Sequence, residues 1–479
     1  MKESSLDAIR LSIAAQISSK AINLVASILL VRMATRESIG IYTVLILTAQ
    51  FASTLGRLGT NYSYIVLLPK QENQTNKIEL TNTYILFSLI STIIICIILM
   101  FQLSFTQSNI PSIENLFLGI LVFLYLLSDS ISEIFWTIHL AFGNFKVIFL
   151  RDVWISIGKG ILPLVGYLLD GVTGIISGLL ITSSINLWIS WKLFQEKTKD
   201  FKYLGVENKK TSIKLYSWES LTSLLKKGLP FFSVPLISNL ILWPILIKYV
   251  DTNGFSEIDG LRVAQICAQI IGGITASLMP VLIVKLHAKG MNEINLYKQS
   301  FHICSIIFII IFSLFVLADK NILPLIFGSD IGSASNIPRI FVAGSALQGL
   351  CQIPLQRVMG TKLLIRISIL QIASLILAAL LAIYIFNSAD GLIAYTSITL
   401  ISPLMILIAL PKLLKEDYFP ESNQTYLFTV VLCLQIVLCY AEMPMFAEYG
   451  IALSCLFVTL LSNKGLISET IFKLVKGNQ

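Results

Sequence analysis

Apolar runs long enough to cross a bilayer recur along this chain from residue 11 to residue 463, and no stretch between them is long enough for a soluble domain. Lipid offers no water to satisfy backbone N–H and C=O groups, so a segment at that depth must be a helix or part of a closed barrel. A helix needs about 20 apolar residues to cross the hydrocarbon core. Applying that length predicts fourteen helices, at 11–33, 39–67, 80–103, 113–139, 150–170, 173–195, 228–250, 260–286, 298–319, 338–360, 363–387, 390–412, 425–442 and 445–463. A short turn at Asp170-Gly171 must separate the fifth from the sixth. The fold class is therefore all-α integral membrane. Only 13% of the 479 residues are charged, about half the share of a soluble domain, which excludes a globular enzyme. The first apolar run is long and contains Lys20, so it reads as a retained span rather than a cleaved signal peptide.

The net charge of +8 would suggest nucleic acid in a soluble protein, through counterion release from phosphates; in a membrane protein it reports topology, and no nucleic-acid partner is expected. With both termini inside, 26 of the 35 Lys and Arg lie at cytoplasmic ends, nine of them between Lys192 and Lys227. Six lie at the opposite ends (Arg32, Arg36, Lys248, Arg262, Lys320, Arg339), and the outer connections carry acids such as Asp170, Asp251, Asp259 and Asp319. That asymmetry predicts cytoplasmic N- and C-termini. The long connection at 196–227 is a basic cytoplasmic linker suited to anionic headgroups, and it divides the spans into six and eight. The seven cysteines fall in apolar segments without a C-x-x-C pair, and His139, His287 and His302 are scattered. No disulfide framework, metal site or cofactor is expected.

The first helix after the linker repeats the first helix of the chain. Asn23-Leu24 precedes Arg32 by nine residues, then come Gly40 and Ala49-Gln50; Asn239-Leu240 precedes Lys248 by nine, then come Gly260 and Ala268-Gln269. Six helices separate the copies, so both run in the same direction, as in transporters built from parallel repeats. Together with Lys227-Gly228-Leu229-Pro230 opening the seventh span and Glu37-Ser38-Ile39-Gly40-Ile41-Tyr42 as the first outer loop, this order resembles the polysaccharide flippases of the multidrug/oligosaccharidyl-lipid/polysaccharide exporter superfamily, and the O-antigen flippases most. The second copy departs from the first in placing Arg262 where an aromatic would match Tyr42. The resemblance covers nearly the whole chain. It implies an N-terminal six-helix lobe (1–195), the linker (196–227), a C-terminal six-helix lobe (228–412) facing it in a V, two extra helices and a tail (413–479), and alternating access around a central cavity.

Three cations lie inside spans: Lys20, Arg57 and Lys159. Each costs roughly 2.5–3.5 kcal/mol at a span centre unless it meets water or a partner. Ser12, Gln16, Lys20, Asn23 and Ser27 are spaced by three or four on the first span, as are Gln50, Thr54, Arg57 and Asn61 on the second and Asp152, Ser156 and Lys159 on the fifth. Such spacing puts each set on one helix face, which implies a shared polar interior. Asp129 and Glu133 share a face of the fourth span. Two roles fit them: structural ion pairs with the cations, or acids that pair with the cations when the site is empty or that carry a coupling proton or sodium ion. Three cations against two acids favour an anionic substrate. On the later spans Arg262, Gln265 and Gln269, and Gln348, Gln352 and Gln356, form polar stripes suited to sugar hydroxyls or to neighbouring helices.

A polymerase or glycosyltransferase would need a large outer loop, and every outer connection here is short. A drug exporter for organic cations would favour acids over cations. The reading is a flippase that moves an undecaprenyl-diphosphate-linked oligosaccharide, an O-antigen or similar repeat unit, from the cytoplasmic to the periplasmic leaflet of a bacterial inner membrane. Polysaccharide polymerase and assembly proteins would be its partners. The alternatives are a lipid II flippase and a cation-coupled multidrug exporter.

Overall fold

The computed structural model describes residues 5–71, 73–106, 112–142, 145–203, 216–269, 293–328, 336–358, 363–385 and 391–414, with single positions and one short helical stretch between 447 and 459. Apart from short turns, these residues are helical. The helices are α1 (Ser5–Met33), α2 (Arg36–Arg57), α3 (Thr60–Leu67), α4 (Gln74–Thr106), α5 (Ser112–Ala141), α6 (Phe145–Tyr203), α7 (Trp218–Asn253), α8 (259–269), α9 (Glu293–Phe327), α10 (Asn336–Val358), α11 (Leu363–Ile385) and α12 (Gly391–Leu414). Eight helical segments among the described residues are long and apolar enough to cross a membrane. The chain is a multi-pass membrane protein. Most of the expected spans 425–442 and 445–463, and much of 260–286, lie outside the described residues.

Local chemistry explains the boundaries. The Thr35 side chain accepts a hydrogen bond from the Ser38 N–H at 3.3 Å and caps α2, and Ser217 does the same for α7 through Ser220 N–H at 3.3 Å; each satisfies a donor that the helix leaves open. Thr35 moves the start of α2 forward, so Glu37–Tyr42, expected as an outer loop, is helical. The expected second span is one helix from 39 to 67, but the structure breaks it. Leu58 and Gly59 both take left-handed backbone, at φ 45° and 73°, and Leu58 N–H closes onto Leu55 carbonyl at 3.1 Å. Gly59 passes so close to Gly228 of α7 that a Cβ on either would stand 2.5 Å from the other's carbonyl oxygen.

The turn expected at Asp170-Gly171 is present inside α6, where Gly171 takes φ 54° and ψ −130°. The two limbs it joins pack as an antiparallel hairpin. Gly166 lies against Gly174, Leu162 against Gly178 and Gly158 against Thr182, so each contact moves four residues back on one limb and four forward on the other. Small residues four apart let the backbones touch, the packing that lipid favours because apolar burial alone does not drive helices together there.

Spatial clustering divides the chain into two units: residues 1–262 with 368–373, and residues 263–367 with 374–479. In the first, Tyr64, Tyr84, Phe135, Ile138 and Leu224 centre a core built by α3, α4, α5 and the start of α7; Tyr64 stacks on Tyr84 at 4.4 Å. Ile90, Ile94, Ile97, Ile98 and Phe101 turn outward on α4. An apolar ridge of that length would be an aggregation hazard in water, but on a spanning helix it is the lipid face. In the second unit α10 packs on α9 and α12. Gly344 sits under Thr399 carbonyl, and Cys351 donates to Pro403 carbonyl at 3.3 Å.

The second unit also holds an ion pair with almost no exposure. Arg339, at the start of α10, engages both oxygens of Asp319 on α9, Nη2 donating to Oδ1 at 3.0 Å and Nε to Oδ2. Sequence position placed both at the outer ends of spans, where charges meet water; the fold instead buries them against each other.

Candidate functional site

Helix α5 organises the polar interior of the first unit. Ser132, Glu133 and Trp136 stand three, four and seven residues along from Asp129, and so the four share one face. The hairpin α6 lies along that face. Its returning limb takes the neutral groups: Trp136 Nε1 donates to Asn186 Oδ1 at 2.8 Å, Asn186 Nδ2 to Ser132 Oγ at 2.8 Å, and Ser183 Oγ to Asp129 Oδ1 at 3.2 Å. Its outgoing limb takes the charges.

Two ion-pair levels result. At one, Lys159 Nζ meets Asp129 Oδ1 at 2.6 Å. At the other, one helical turn away and so about 6 Å along α5, Glu133 is held between two guanidiniums: Arg151 of α6 on Oε1, and Arg57 of α2 at 3.8 Å from Oε2. Arg57 is anchored on its own helix, Nε donating to Ser53 carbonyl at 2.8 Å and Nη2 to Ser53 Oγ at 2.9 Å. The Arg151 guanidinium lies 5.0 Å over the Trp136 ring, close enough for a cation–π attraction, and its Nε is 4.0 Å from Asp152 Oδ1. Half-buried charges at this depth survive only because each meets an opposite charge.

The structure thus brings together Arg57, Lys159, Asp129 and Glu133, four of the expected site residues. Lys20 lies on α1, but its side chain is outside the described residues. Its stripe reaches the same interior through Asn23, whose Nδ2 donates to Ser156 Oγ at 3.1 Å. Arg151 was the missed member. Seven residues into α6, it reads as one more cation flanking a span on the cytoplasmic side, and only the Trp136 face and Glu133 reveal it as interior. With Asp152, it changes the charge balance. The expected excess of one cation becomes three cations (Arg57, Arg151, Lys159) against three carboxylates (Asp129, Glu133, Asp152) among the described side chains.

Arg262 occupies a second place. It is 4% exposed, so it does not reach outward to headgroups as its position near a span end suggests. It donates to Ser27 Oγ at 3.0 Å and lies 4.9 Å over the Tyr42 ring. The two positions that differ between the repeat copies, Tyr42 and Arg262, therefore touch. Beside them Arg36 Nε meets Asp259 Oδ2 at 2.5 Å, and Gly40 packs directly under the Phe255 carbonyl, where a Cβ would overlap the oxygen. Gln269 on α8 is half-buried and Gln348 on α10 is exposed, both in the second unit; the side chains of Gln352 and Gln356 lie outside the described residues.

The family model for polysaccharide biosynthesis proteins matches residues 6–264, more than half of the chain. Among solved structures, the lipid II flippase MurJ in an inward closed conformation aligns with a TM-score of 0.64 at 16% identity, over 95% of this chain and 99% of that one. A MATE protein in complex with MaD3S aligns with a TM-score of 0.56 at 17% identity, over 86% and 96%. The MATE transporter VcmN of Vibrio cholerae aligns at 0.53 and 12%, over 86% and 97%. Identities this low establish a shared fold. A comparison with curated protein sequences gives no match.

Proposed function

The chain belongs to the polysaccharide biosynthesis protein family, and from that premise we propose that it flips an undecaprenyl-diphosphate-linked oligosaccharide, an O-antigen or similar repeat unit, across a bacterial inner membrane. The observation that carries this reading is the convergence of Arg57, Arg151 and Lys159, from two separate helices, on a half-buried interior of a membrane protein. Buried cations are costly, and guanidiniums are the groups best shaped to bind phosphate oxygens two at a time. A diphosphate could replace the carboxylates that now meet these cations, whereas a neutral sugar or an organic cation could not.

In the proposed cycle fourteen helices form two six-helix lobes related by a parallel repeat, with two further helices and cytoplasmic termini. The diphosphate head enters from the cytoplasmic side, Lys20, Arg57, Arg151 and Lys159 replace its hydration, and the prenyl chain stays in the bilayer. Gln269 and Gln348 serve the sugars, and rocking of the lobes exposes the head outside. No cofactor takes part; Asp129 or Glu133 carries a coupling proton or sodium ion. Polymerase and assembly proteins receive the product.

Complementation of a flippase-deficient strain tests this reading. Export of polysaccharide should be restored by the wild-type gene and lost with Arg57→Ala or Lys159→Ala at normal membrane levels. Full export by both variants would refute the cationic site. A second reading, lipid II transport, draws on the fold shared with MurJ; rescue of peptidoglycan synthesis without polysaccharide export would select it.

A further inference from the structure

The cluster presents a difficulty for any anionic ligand, because its described side chains are already neutral as a set: three cations face three carboxylates. A diphosphate can enter only where a resident carboxylate gives way. The three acids are not equally placed to do so. Asp129 is held by Lys159 and by the Ser183 hydroxyl and is 11% exposed. Asp152, 34% exposed, is Arg151's neighbour in sequence and stands 4.0 Å from its Nε. Glu133 is 28% exposed, has the longer side chain, and occupies the point where the two guanidiniums converge. Its contact with Arg57, at 3.8 Å, is well beyond the 2.7–2.9 Å of a charge-assisted hydrogen bond, whereas Arg57 is fixed through Ser53 whether or not Glu133 is there. Arg151 likewise has a second contact, the Trp136 ring 5.0 Å from its guanidinium.

We propose that Glu133 is a resident counter-anion, standing where a phosphoryl group of the transported lipid binds, so that loading displaces its carboxylate from Arg57 and Arg151 and its return ejects the head. The proposal rests on the reading above, that this site takes a diphosphate. It gives Glu133 a part in release, because a site without a competing anion would hold a diphosphate too tightly to turn over.

The test uses the purified full-length protein in detergent and two probes, inorganic diphosphate and a polyprenyl diphosphate. Glu133→Gln should bind both at least tenfold tighter than wild type while exporting less polysaccharide in cells. Glu133→Asp keeps the charge but shortens the reach to Arg151, and should tighten binding to a smaller degree; it carries the test if the glutamine variant does not fold. Unchanged or weaker binding in a variant whose elution and unfolding temperature match wild type overturns the proposal. So does a gain confined to free diphosphate, since the lipid head must meet the same arginines. Failure of the underlying reading looks different: diphosphate binding would then be insensitive to Arg57→Ala and Lys159→Ala.

Discussion

Removing one partner of the Arg339–Asp319 pair should be among the most damaging single changes in the second unit. Both side chains are at most 1% exposed, and two hydrogen bonds join them. Arg339→Leu leaves a carboxylate buried without its cation, and Asp319→Leu leaves a buried guanidinium. Breaking such a pair costs about 3–5 kcal/mol, whereas replacing both partners with apolar groups is often neutral or favourable. Over a unit of roughly 200 residues that loss lowers the unfolding temperature by roughly 10 °C. The measurement is thermal or denaturant unfolding in detergent for both single variants and the Asp319→Leu/Arg339→Leu double variant. Each single should lose at least about 3 kcal/mol, and the double should recover most of it. Singles within about 1 kcal/mol of wild type, or a double worse than either, would refute the reasoning that burial makes this pair interdependent.

Further predictions concern the first unit. Gly40→Ala puts a methyl group into the Phe255 carbonyl, so α2 must part from the 255–258 turn; maleimide should then modify a Tyr42→Cys side chain faster in membrane vesicles than when Gly40 is intact. Gly59→Val meets both the left-handed φ of 73° and the Gly228 backbone, and should cost at least about 2 kcal/mol in detergent unfolding. Lys159→Met should lower the unfolding temperature in detergent by leaving Asp129 without its lysine, and adding Asp129→Asn should recover most of that loss without restoring polysaccharide export, as read by thermal unfolding and surface-glycan staining.

What the sequence discloses here follows from which physics is local. Among the described residues, the eight segments long and apolar enough to cross a membrane follow from bilayer thickness, and the Asp170–Gly171 reversal is visible because a charge and a glycine interrupt an apolar run. The Asp129–Glu133 face and the Lys159 stripe are equally legible, since helical periodicity alone places them, and so is the Arg57 stripe up to the break that sets Asn61 on a separate helix. The break at Leu58 is not: Gly59 gives a weak signal, and nothing about a leucine announces a left-handed backbone, which is imposed here by close passage of α7 at Gly228. The interior placement of Arg151, Arg262 and Arg339 is hidden for a common reason. Each lies near a span end, where a cation ordinarily reaches water, and each is drawn inward by a partner on another helix: Glu133, Ser27 and Asp319.

The α6 hairpin bears on how the protein is made. Synthesis delivers α5 before α6, so Asp129 and Glu133 emerge from the ribosome ahead of Lys159 and Arg151. Each acid left alone in hydrocarbon would cost a few kcal/mol. Glu133 can meet Arg57 on the already inserted α2, but Asp129 finds its described cation only on the next helix. Because the Asp170–Gly171 turn folds both limbs of α6 back to back, the hairpin and α5 form a three-segment package in which each α5 acid meets a cation of α6, Asp129 with Lys159 and Glu133 with Arg151. That package is expected to leave the translocon together, with α5 waiting at its lateral gate until Lys159 arrives.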